Sequence, residues 1–204
     1  MTGIIFATEE EASSFLSQYK RGRFEDLREG DTQYDDDILV TLTGLGKIKS
    51  TLRTERFLQT NRPDRIFHPG ACTALNEDYK IGDLIAASQV FEGDRIELAA
   101  PTYPRMPLDV PFESLTTGTL VTQDHVAQDT SERSYWQRIA DMSDMTGYAV
   151  AFVAATHGIP CHIVKVVTGR LDDDDKQFRT NRKSSFDAIA DFLLNELEKL
   201  TKAD

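Results

Sequence analysis

The sequence predicts an α/β fold with a mixed β-sheet and flanking helices, organised as one domain over residues 1–204. Short apolar runs that are typical of buried strands alternate with longer segments whose apolar residues recur at helical spacing. The chain has 204 residues, of which 40% are hydrophobic and 28% charged. This is the length and composition of one globular domain with a substantial core. Neither an internal repeat nor a linker interrupts the alternation.

The N-terminal half begins with a strand that leads directly into a helix. Gly3–Ala7 is an apolar run suited to a buried strand, and Thr8 is placed to cap a helix that extends to about Tyr19. Glu9–Glu11 fall in the first turn of this helix, where acidic side chains suit the positive end of the helix dipole. The next predicted elements are the strand Ile38–Thr43, a tight turn at Gly44 and Gly46, a helix over about Lys47–Thr60 and a strand beginning at Arg65.

The C-terminal half continues the same alternation. Four of the seven prolines lie between Glu92 and Pro111, which excludes a helix interior there and predicts a surface loop. Ala149–Thr156 predicts an apolar helix, and Phe186–Leu200 predicts an amphipathic helix. The predicted strands of this half are Asp83–Val90, Leu115–Thr122 and His162–Thr168. In such sheets ligands bind among the loops beyond the strand ends.

Composition and charge argue against several classes of function. The formal net charge of -11 argues against a nucleic-acid partner, because a phosphate backbone requires a basic surface. No signal peptide and no run long enough for a membrane span is found, so we expect no membrane partner. Cys72 and Cys161 form no redox or zinc pair, which predicts buried free thiols in a reducing, cytoplasmic setting. The histidines lack metal-ligand spacing and the phosphate-binding motifs are incomplete, so we expect neither a metal nor a cofactor.

Five segments follow one another in an order that is more specific than any one of them. They are MTGIIFATEEEA at the N-terminus, TGLGKIKS from Thr43, HPGACTALNEDYKIGDLIAASQV from His68, LVTQDHVA from Leu120 and DMTGYAVAFVAATHGIPCHIVKVVTG from Asp144. On these motifs the chain resembles the purine nucleoside phosphorylase superfamily, and within it the methylthioadenosine/S-adenosylhomocysteine nucleosidases. The resemblance covers Gly3 to about Leu194. It implies a single three-layer α/β domain, built around a twisted, partly closed mixed sheet and assembled as a homodimer.

The resemblance also implies an activity. The nucleosidases of this family use water to break the bond between a purine and a ribose, through a transition state that resembles an oxocarbenium ion. Carboxylates activate the water, hold the ribose hydroxyls and protonate the leaving purine. The last glutamate of the N-terminal EEE run activates the water, and that position is Glu11. The residues by themselves also allow Glu11 to be a solvated acid of the first helical turn.

The other two carboxylate positions depart from the family pattern. The glutamate that holds the ribose hydroxyls is replaced by Thr146, whose hydroxyl forms hydrogen bonds without a charge. The aspartate that protonates the purine is replaced by Gly169, which follows Thr168. Asp172 lies three residues further on and is the candidate proton donor; the alternative is that Asp172–Asp175 is an acidic solvated loop.

The remaining predicted site residues contact the substrate. Gly70 is the one glycine kept in a segment where the family has several, and Cys72 adds bulk there. Val126 falls where the family has a purine-stacking aromatic residue. Met145 is expected beneath the ribose, or alternatively in the core. The complete predicted substrate-binding set is Gly70, Ala71, Cys72, Val126, Asp144, Met145, Thr146, Thr168 and Gly169.

Two hypotheses for function follow. In the first, the protein hydrolyses the N-ribosyl bond of a purine nucleoside or a related thionucleoside, with Glu11 and Asp172 as catalytic residues. In the second, it is a diverged, catalytically weak member of the family that binds a nucleoside-like ligand or a protein partner, as the loss of two carboxylates suggests. A phosphorylase is disfavoured because Glu9–Glu11 would repel a phosphate co-substrate.

Overall fold

A computed structural model shows an α/β protein built on one mixed sheet. The structure describes residues 1–19, 24, 26–94, 104–127, 130–171 and 175–202, with the side chains of 175–179 and 200–202 outside that description. Within these residues the strands are β1 (Thr2–Phe6), β2 (Thr32–Asp35), β3 (Ile38–Leu42), β4 (Arg65–Ala74), β5 (Leu84–Glu92), β6 (Met106–Pro107), β7 (Thr116–Thr122), β8 (Met142–Asp144) and β9 (Cys161–Arg170). The helices are α1 (Glu9–Gln18), α2 (Lys47–Asn61), α3 (Thr130–Trp136), α4 (Gly147–Thr156) and α5 (Asp175–Lys202).

Five of the strands close into a small barrel. β4 pairs with β8, β8 with β7, β7 with β5 and β5 with β9, and β9 returns to pair with β4. β1, β3 and β2 extend the sheet outward from β4. The β4–β8 and β5–β9 pairs are antiparallel and the other three pairs of the barrel are parallel, which confirms the predicted mixed and partly closed sheet.

Side-chain alternation along the strands produces two cores, one on each face of the sheet. Ile4 and Phe6 of β1 pack with α1 and α5, whereas Ile5 packs with α2 and α4. The same alternation occurs in β3, where Leu39 and Val40 belong to opposite cores. The predicted three-layer arrangement is therefore confirmed, with a helix pair on each side of the sheet.

The two cysteines agree with a further expectation from the sequence. Cys72 and Cys161 are free and buried, and burial raises the pKa of the Cys161 thiol to about 12. A thiol with so high a pKa stays protonated and unreactive at neutral pH. Among the helices of the described residues, none has the length and apolar character needed to cross a membrane.

Candidate functional site

Glu11 occupies a buried position between α1 and β4. Thr8 caps α1, and the cap is reciprocal: the Glu11 amide donates to Thr8 Oγ1 at 3.2 Å, and the Thr8 amide donates to Glu11 Oε2 at 3.0 Å. The other carboxylate oxygen, Oε1, accepts a hydrogen bond of 2.8 Å from the Ala71 amide on β4. Only 7% of Glu11 is exposed, so the interpretation of a solvated helix acid is wrong. The capping box instead aims the carboxylate at the middle of β4.

A glycine in β4 makes room for the Glu11 carboxylate and for the ammonium of Lys165. A Cβ atom added to Gly70 would lie 2.8 Å from Glu11 Oε1 and 3.2 Å from Lys165 Nζ. The carboxylate and the ammonium therefore lie within about 6 Å of each other, a range in which opposite charges interact appreciably. Gly70 and Ala71, both predicted substrate-binding residues, are thus brought together with Glu11.

Lys165 belongs to a closed ring of four buried polar groups, which we call the polar ring (His68, Thr146, Asp144 and Lys165). Lys165 Nζ lies 2.9 Å from Asp144 Oδ2 and 3.1 Å from His68 Nε2. Thr146 Oγ1 closes the ring at 2.9 Å from His68 Nε2 and 3.2 Å from Asp144 Oδ2. The exposed fractions are 1% for the Lys165 side chain and 3% for that of Asp144. An ion pair this deeply buried persists only when its remaining hydrogen-bonding groups are satisfied.

Hydrogen bonds fix the protonation of His68. Its Nδ1 lies 2.7 Å from the carbonyl oxygen of Ile5, which can only accept, so the ring proton is on Nδ1 and Nε2 is an acceptor. Burial, reinforced by the charge of Lys165, lowers the pKa of His68 to about 3. The imidazole is therefore neutral at physiological pH, and its Nε2 accepts a hydrogen bond from Lys165 Nζ inside the polar ring.

Asp144 is ionised and fully engaged by protein donors. Burial by itself would raise its pKa, but Lys165 and several hydrogen bonds lower it below the ordinary value. Besides its partners in the polar ring, Asp144 accepts from Thr122 Oγ1 at 2.7 Å and from the Gly147 amide at 2.8 Å. Asp144 therefore ties the start of α4, and with it Thr146, to β7.

Among the other predicted site residues, the structure describes Thr168, Gly169 and Val126. Thr168 is completely buried, and its hydroxyl donates to the Cys72 carbonyl at 3.3 Å. Gly169 pairs with Thr73 just beyond a register shift in β4. Val126 is half exposed, and Asp172 lies outside the described residues. The site roles of these residues stay predictions.

Met145 lines an open groove of about 370 Å³ at the start of α2. Asp124 forms another wall of the groove and accepts a hydrogen bond of 2.8 Å from the Lys47 amide, which caps α2. Lys47 Nζ in turn pairs with Glu92 and with Asp94, each at 2.7 Å. The groove consequently has an apolar floor and a rim of paired charges. Its lining residues are Leu45, Gly46, Lys47, Ile48, Lys49, Asp124 and Met145.

His125 connects this rim to α3. Its Nε2 lies 2.6 Å from Glu132 Oε1, and its Nδ1 lies 3.2 Å from Asp94 Oδ1. The hydrogen bond to Glu132, together with the charge of Asp94, raises the pKa of His125 above its ordinary value. Asp124 and His125 therefore belong to a network of hydrogen bonds and ion pairs that connects the loops around the groove.

His68 and Lys165 are the two site residues that sequence reasoning missed. The signal for Lys165 was available: a lysine stands inside the apolar, β-branched run HIVKVVT, where an unpaired ammonium would be very costly. A buried partner of opposite charge was therefore required. His68 gave a weaker signal, since a histidine in a buried strand has many structural uses.

The fold and the site define the class of this protein: an α/β protein whose closed barrel carries a buried carboxylate and a buried ion pair, with an open groove at Met145. The family model for the phosphorylase superfamily matches residues 2–113 and 107–202. The chain therefore belongs to the phosphorylase superfamily.

Relatives with named activities agree with this membership. An aminodeoxyfutalosine nucleosidase of Helicobacter pylori is 24% identical over 228 residues, which cover 97% of this chain and 98% of the relative. A 5'-methylthioadenosine/S-adenosylhomocysteine nucleosidase of Staphylococcus aureus is 26% identical over 96 residues, 44% of this chain and 41% of the relative.

Solved structures share the fold. The Helicobacter pylori 5'-methylthioadenosine/S-adenosylhomocysteine nucleosidase with butyl-thio-DADMe-Immucillin-A has a TM-score of 0.84 at 21% identity, and the match covers 97% of both chains. The Arabidopsis thaliana 5'-methylthioadenosine nucleosidase in apo form has a TM-score of 0.81 at 23% identity, covering 97% of this chain and 94% of that one. The barrel and its two helix pairs are thus common to these proteins.

Proposed function

We propose that the protein hydrolyses the N-ribosyl bond of a purine nucleoside or a related thionucleoside, with Glu11 as the group that activates water. The observation that carries the proposal is the position of Glu11. Its carboxylate is buried, oriented by the Thr8 capping box and the Ala71 amide, and set beside the gap that Gly70 leaves in β4. A general base needs a carboxylate that is held in a fixed direction. The names of the relatives support the same reaction type.

The charges of the site suit a cationic transition state. With both carboxylates ionised, Glu11 and Asp144 carry two negative charges, and the ammonium of Lys165 neutralises one of them. Because His68 is neutral, one net negative charge is left. As the bond between C1' and the purine breaks, its electrons leave with the base and positive charge develops on the ribose. A fixed negative charge in a buried site stabilises that charge strongly. Water then adds to C1' and gives a proton to Glu11.

Thr146 and Asp172 are assigned to the two ends of the substrate. The Thr146 hydroxyl donates within the polar ring, so its lone pairs are left to accept from a ribose hydroxyl, while Met145 lies at the groove beneath. Asp144 acts through Thr146, because its own oxygens are engaged by protein donors. Asp172, which follows Gly169 by three residues in the sequence, is the proposed proton donor to the leaving purine.

The test is the release of free base from methylthioadenosine, S-adenosylhomocysteine, inosine and futalosine, each with and without phosphate. We expect release from at least one of them without phosphate. Glu11→Gln and Asp172→Asn are each expected to lower the rate about 100-fold or more, because each removes a group that moves a proton in the reaction.

The neighbouring acids provide matched controls. Glu10 lies on the surface in an ion pair with Arg182, so Glu10→Gln should leave the rate unchanged. Asp173→Asn is the control for Asp172. Release that Glu11→Gln does not affect would show that the water is activated elsewhere, and release that requires phosphate would make the protein a phosphorylase.

The second candidate function is ligand binding without turnover. It is favoured by the uncharged Thr146 and Gly169, which stand where the family pattern has carboxylates. Isothermal titration calorimetry with the same four compounds separates the two candidates. Binding without release of base from any compound would establish this second function and exclude hydrolysis.

We propose also that two copies of the chain associate through the apolar surface at α2 and α4. Ile48 and Leu52 on α2 are 75% and 66% exposed, and Phe152 on the adjoining α4 is 49% exposed. Apolar groups this exposed and this close together favour a protein interface.

Cys72 and Cys161, both free, support a reducing cytoplasmic setting.

Leu52→Glu is expected to convert the dimer to a monomer, because the interface would have to bury an unpaired charge twice, once for each copy. Sedimentation velocity measures the change. Thr51→Glu, one position away on an exposed part of the same helix, is the control. A parent protein that sediments as a monomer at high concentration would rule out this association.

A further inference from the structure

Lys165 and Glu11 lie close together without forming an ion pair. Both groups lie beside Gly70: a Cβ atom added there would be 2.8 Å from Glu11 Oε1 and 3.2 Å from Lys165 Nζ. The two groups are therefore within about 6 Å of each other. Lys165 nevertheless pairs with Asp144, at 2.9 Å, and its second contact is His68 Nε2. An ammonium on a flexible four-carbon side chain would be expected to move toward a second buried carboxylate unless something held it back.

His68 lies where it can keep the Lys165 ammonium away from the Glu11 carboxylate. The imidazole is anchored through Nδ1 to the Ile5 carbonyl on β1, and its Nε2 faces the ammonium from the side of the polar ring. Because the imidazole is neutral, Nε2 accepts a hydrogen bond from Lys165 and does not repel its charge. Of the contacts that hold Lys165 on this side, the one to His68 is independent of Asp144.

We propose that His68 is a positioning residue, which keeps the Lys165 ammonium on the Asp144 side of the site and so prevents it from pairing directly with the Glu11 carboxylate. Without the acceptor at Nε2, the ammonium loses one of its two partners, and Glu11 Oε1 is the nearby acceptor of opposite charge. A Glu11 paired with Lys165 would be a poorer base and a poorer counter-charge for the ribose. The consequence for hydrolysis rests on the proposed function, whereas the position of Lys165 does not.

The charged surroundings of Glu11 allow this movement to be measured through its titration. Among the described side chains, the charged groups recorded beside Glu11 or in contact with its helix are Lys165 on β9, with Asp144 behind it, and Arg182 and Asp187 on α5, while Glu9 and Glu10 lie on α1 itself. Glu10 is neutralised by Arg182, and Asp187 accepts from Ser14 Oγ at 2.7 Å. Displacement of Lys165 toward Glu11 is therefore the charge movement that would alter this titration.

The experiment compares parent, His68→Leu and His68→Gln by carbon NMR of the glutamate carboxyl groups, with Glu11→Gln to identify the Glu11 signal. We expect Glu11 in His68→Leu to titrate at lower pH than in the parent, because a closer ammonium favours the ionised form. His68→Gln retains an acceptor and a donor and should titrate like the parent. If the protein hydrolyses a nucleoside, the acidic limb of kcat/KM should move in the same direction, and kcat should fall about tenfold with a smaller change in KM.

If His68→Leu does not fold, His68→Asn takes its place in the titration experiment. Its amide is too short to reach both the Ile5 carbonyl and Lys165, so it should behave like His68→Leu. Titration of Glu11 at the parent's pH in a folded Leu or Asn variant would overturn the proposal. A shifted titration in a protein that releases no base would support the role of His68 and count against the proposed function alone.

Discussion

Replacing Lys165 by methionine is expected to lower the free energy of unfolding by about 3–5 kcal/mol, the usual cost of breaking a buried ion pair from one side. Methionine matches the lysine side chain as far as Cε, so most of the loss comes from the missing ammonium. Asp144 would lose its counter-charge in the core, and His68 would lose a donor at Nε2. Urea denaturation measures the change, provided that the slope with denaturant concentration is the same for both proteins.

Two further variants separate the charge effect from general damage. Lys49→Met removes an exposed lysine that pairs with Glu29, and it should cost less than about 1 kcal/mol. Adding Asp144→Asn to Lys165→Met should restore part of the lost stability, since it removes the stranded charge and keeps an oxygen for the Gly147 amide. A Lys165→Met variant as stable as the parent would mean that the ion pair contributes nothing to the fold.

Gly70→Ala is expected to reduce hydrolysis about 100-fold, the cost that a displacement of about 1 Å imposes on a reacting group. The new Cβ would lie 2.8 Å from Glu11 Oε1 and 3.2 Å from Lys165 Nζ, so one or both groups must move. The carboxylate is the closer of the two and the one proposed to hold water. Base-release kinetics measure the effect, and thermal unfolding checks that the variant is folded.

A double variant tests whether the loss passes through Glu11. If alanine acts by displacing that carboxylate, Gly70→Ala should have little further effect in a Glu11→Gln background. If the fold-losses in rate of the two substitutions multiply in the double variant, the alanine acts on another group, for instance Lys165. Parent-level activity in Gly70→Ala would mean that the carboxylate tolerates displacement and does not act as a positioned base.

The sequence was most informative where local chemistry and periodicity agree. Thr8 and Glu11 are spaced as a capping box, and the structure forms that box. The apolar runs predicted the longer strands because each is buried by its neighbours. β8 is a three-residue strand, Met142–Asp144, and too short to carry a pattern of its own. It forms because β4 and β7 supply partners on both sides.

The site was harder to predict because its key contacts join residues far apart in the chain. Glu11 was found through the family resemblance, but its burial depends on β4, which lies far along the chain. The polar ring joins His68, Thr146 and Lys165 from three elements, and no local spacing encodes it. Only the presence of a lysine in an apolar strand signalled that such a network had to exist.

The closed barrel has a consequence for how the chain folds during synthesis. β9 closes the barrel by pairing with β4 and β5, and roughly a hundred residues separate its start from the start of β4, so folding has a high contact order. Until the ribosome has released β9, β4 and β5 each present an unpaired edge, and such edges invite aggregation. Lys165 lies on that last strand, so Asp144 has no counter-charge until the barrel closes. Charge neutralisation in the core and barrel closure are therefore one late event of folding, and the exposed strand edges make the chain prone to aggregate until then.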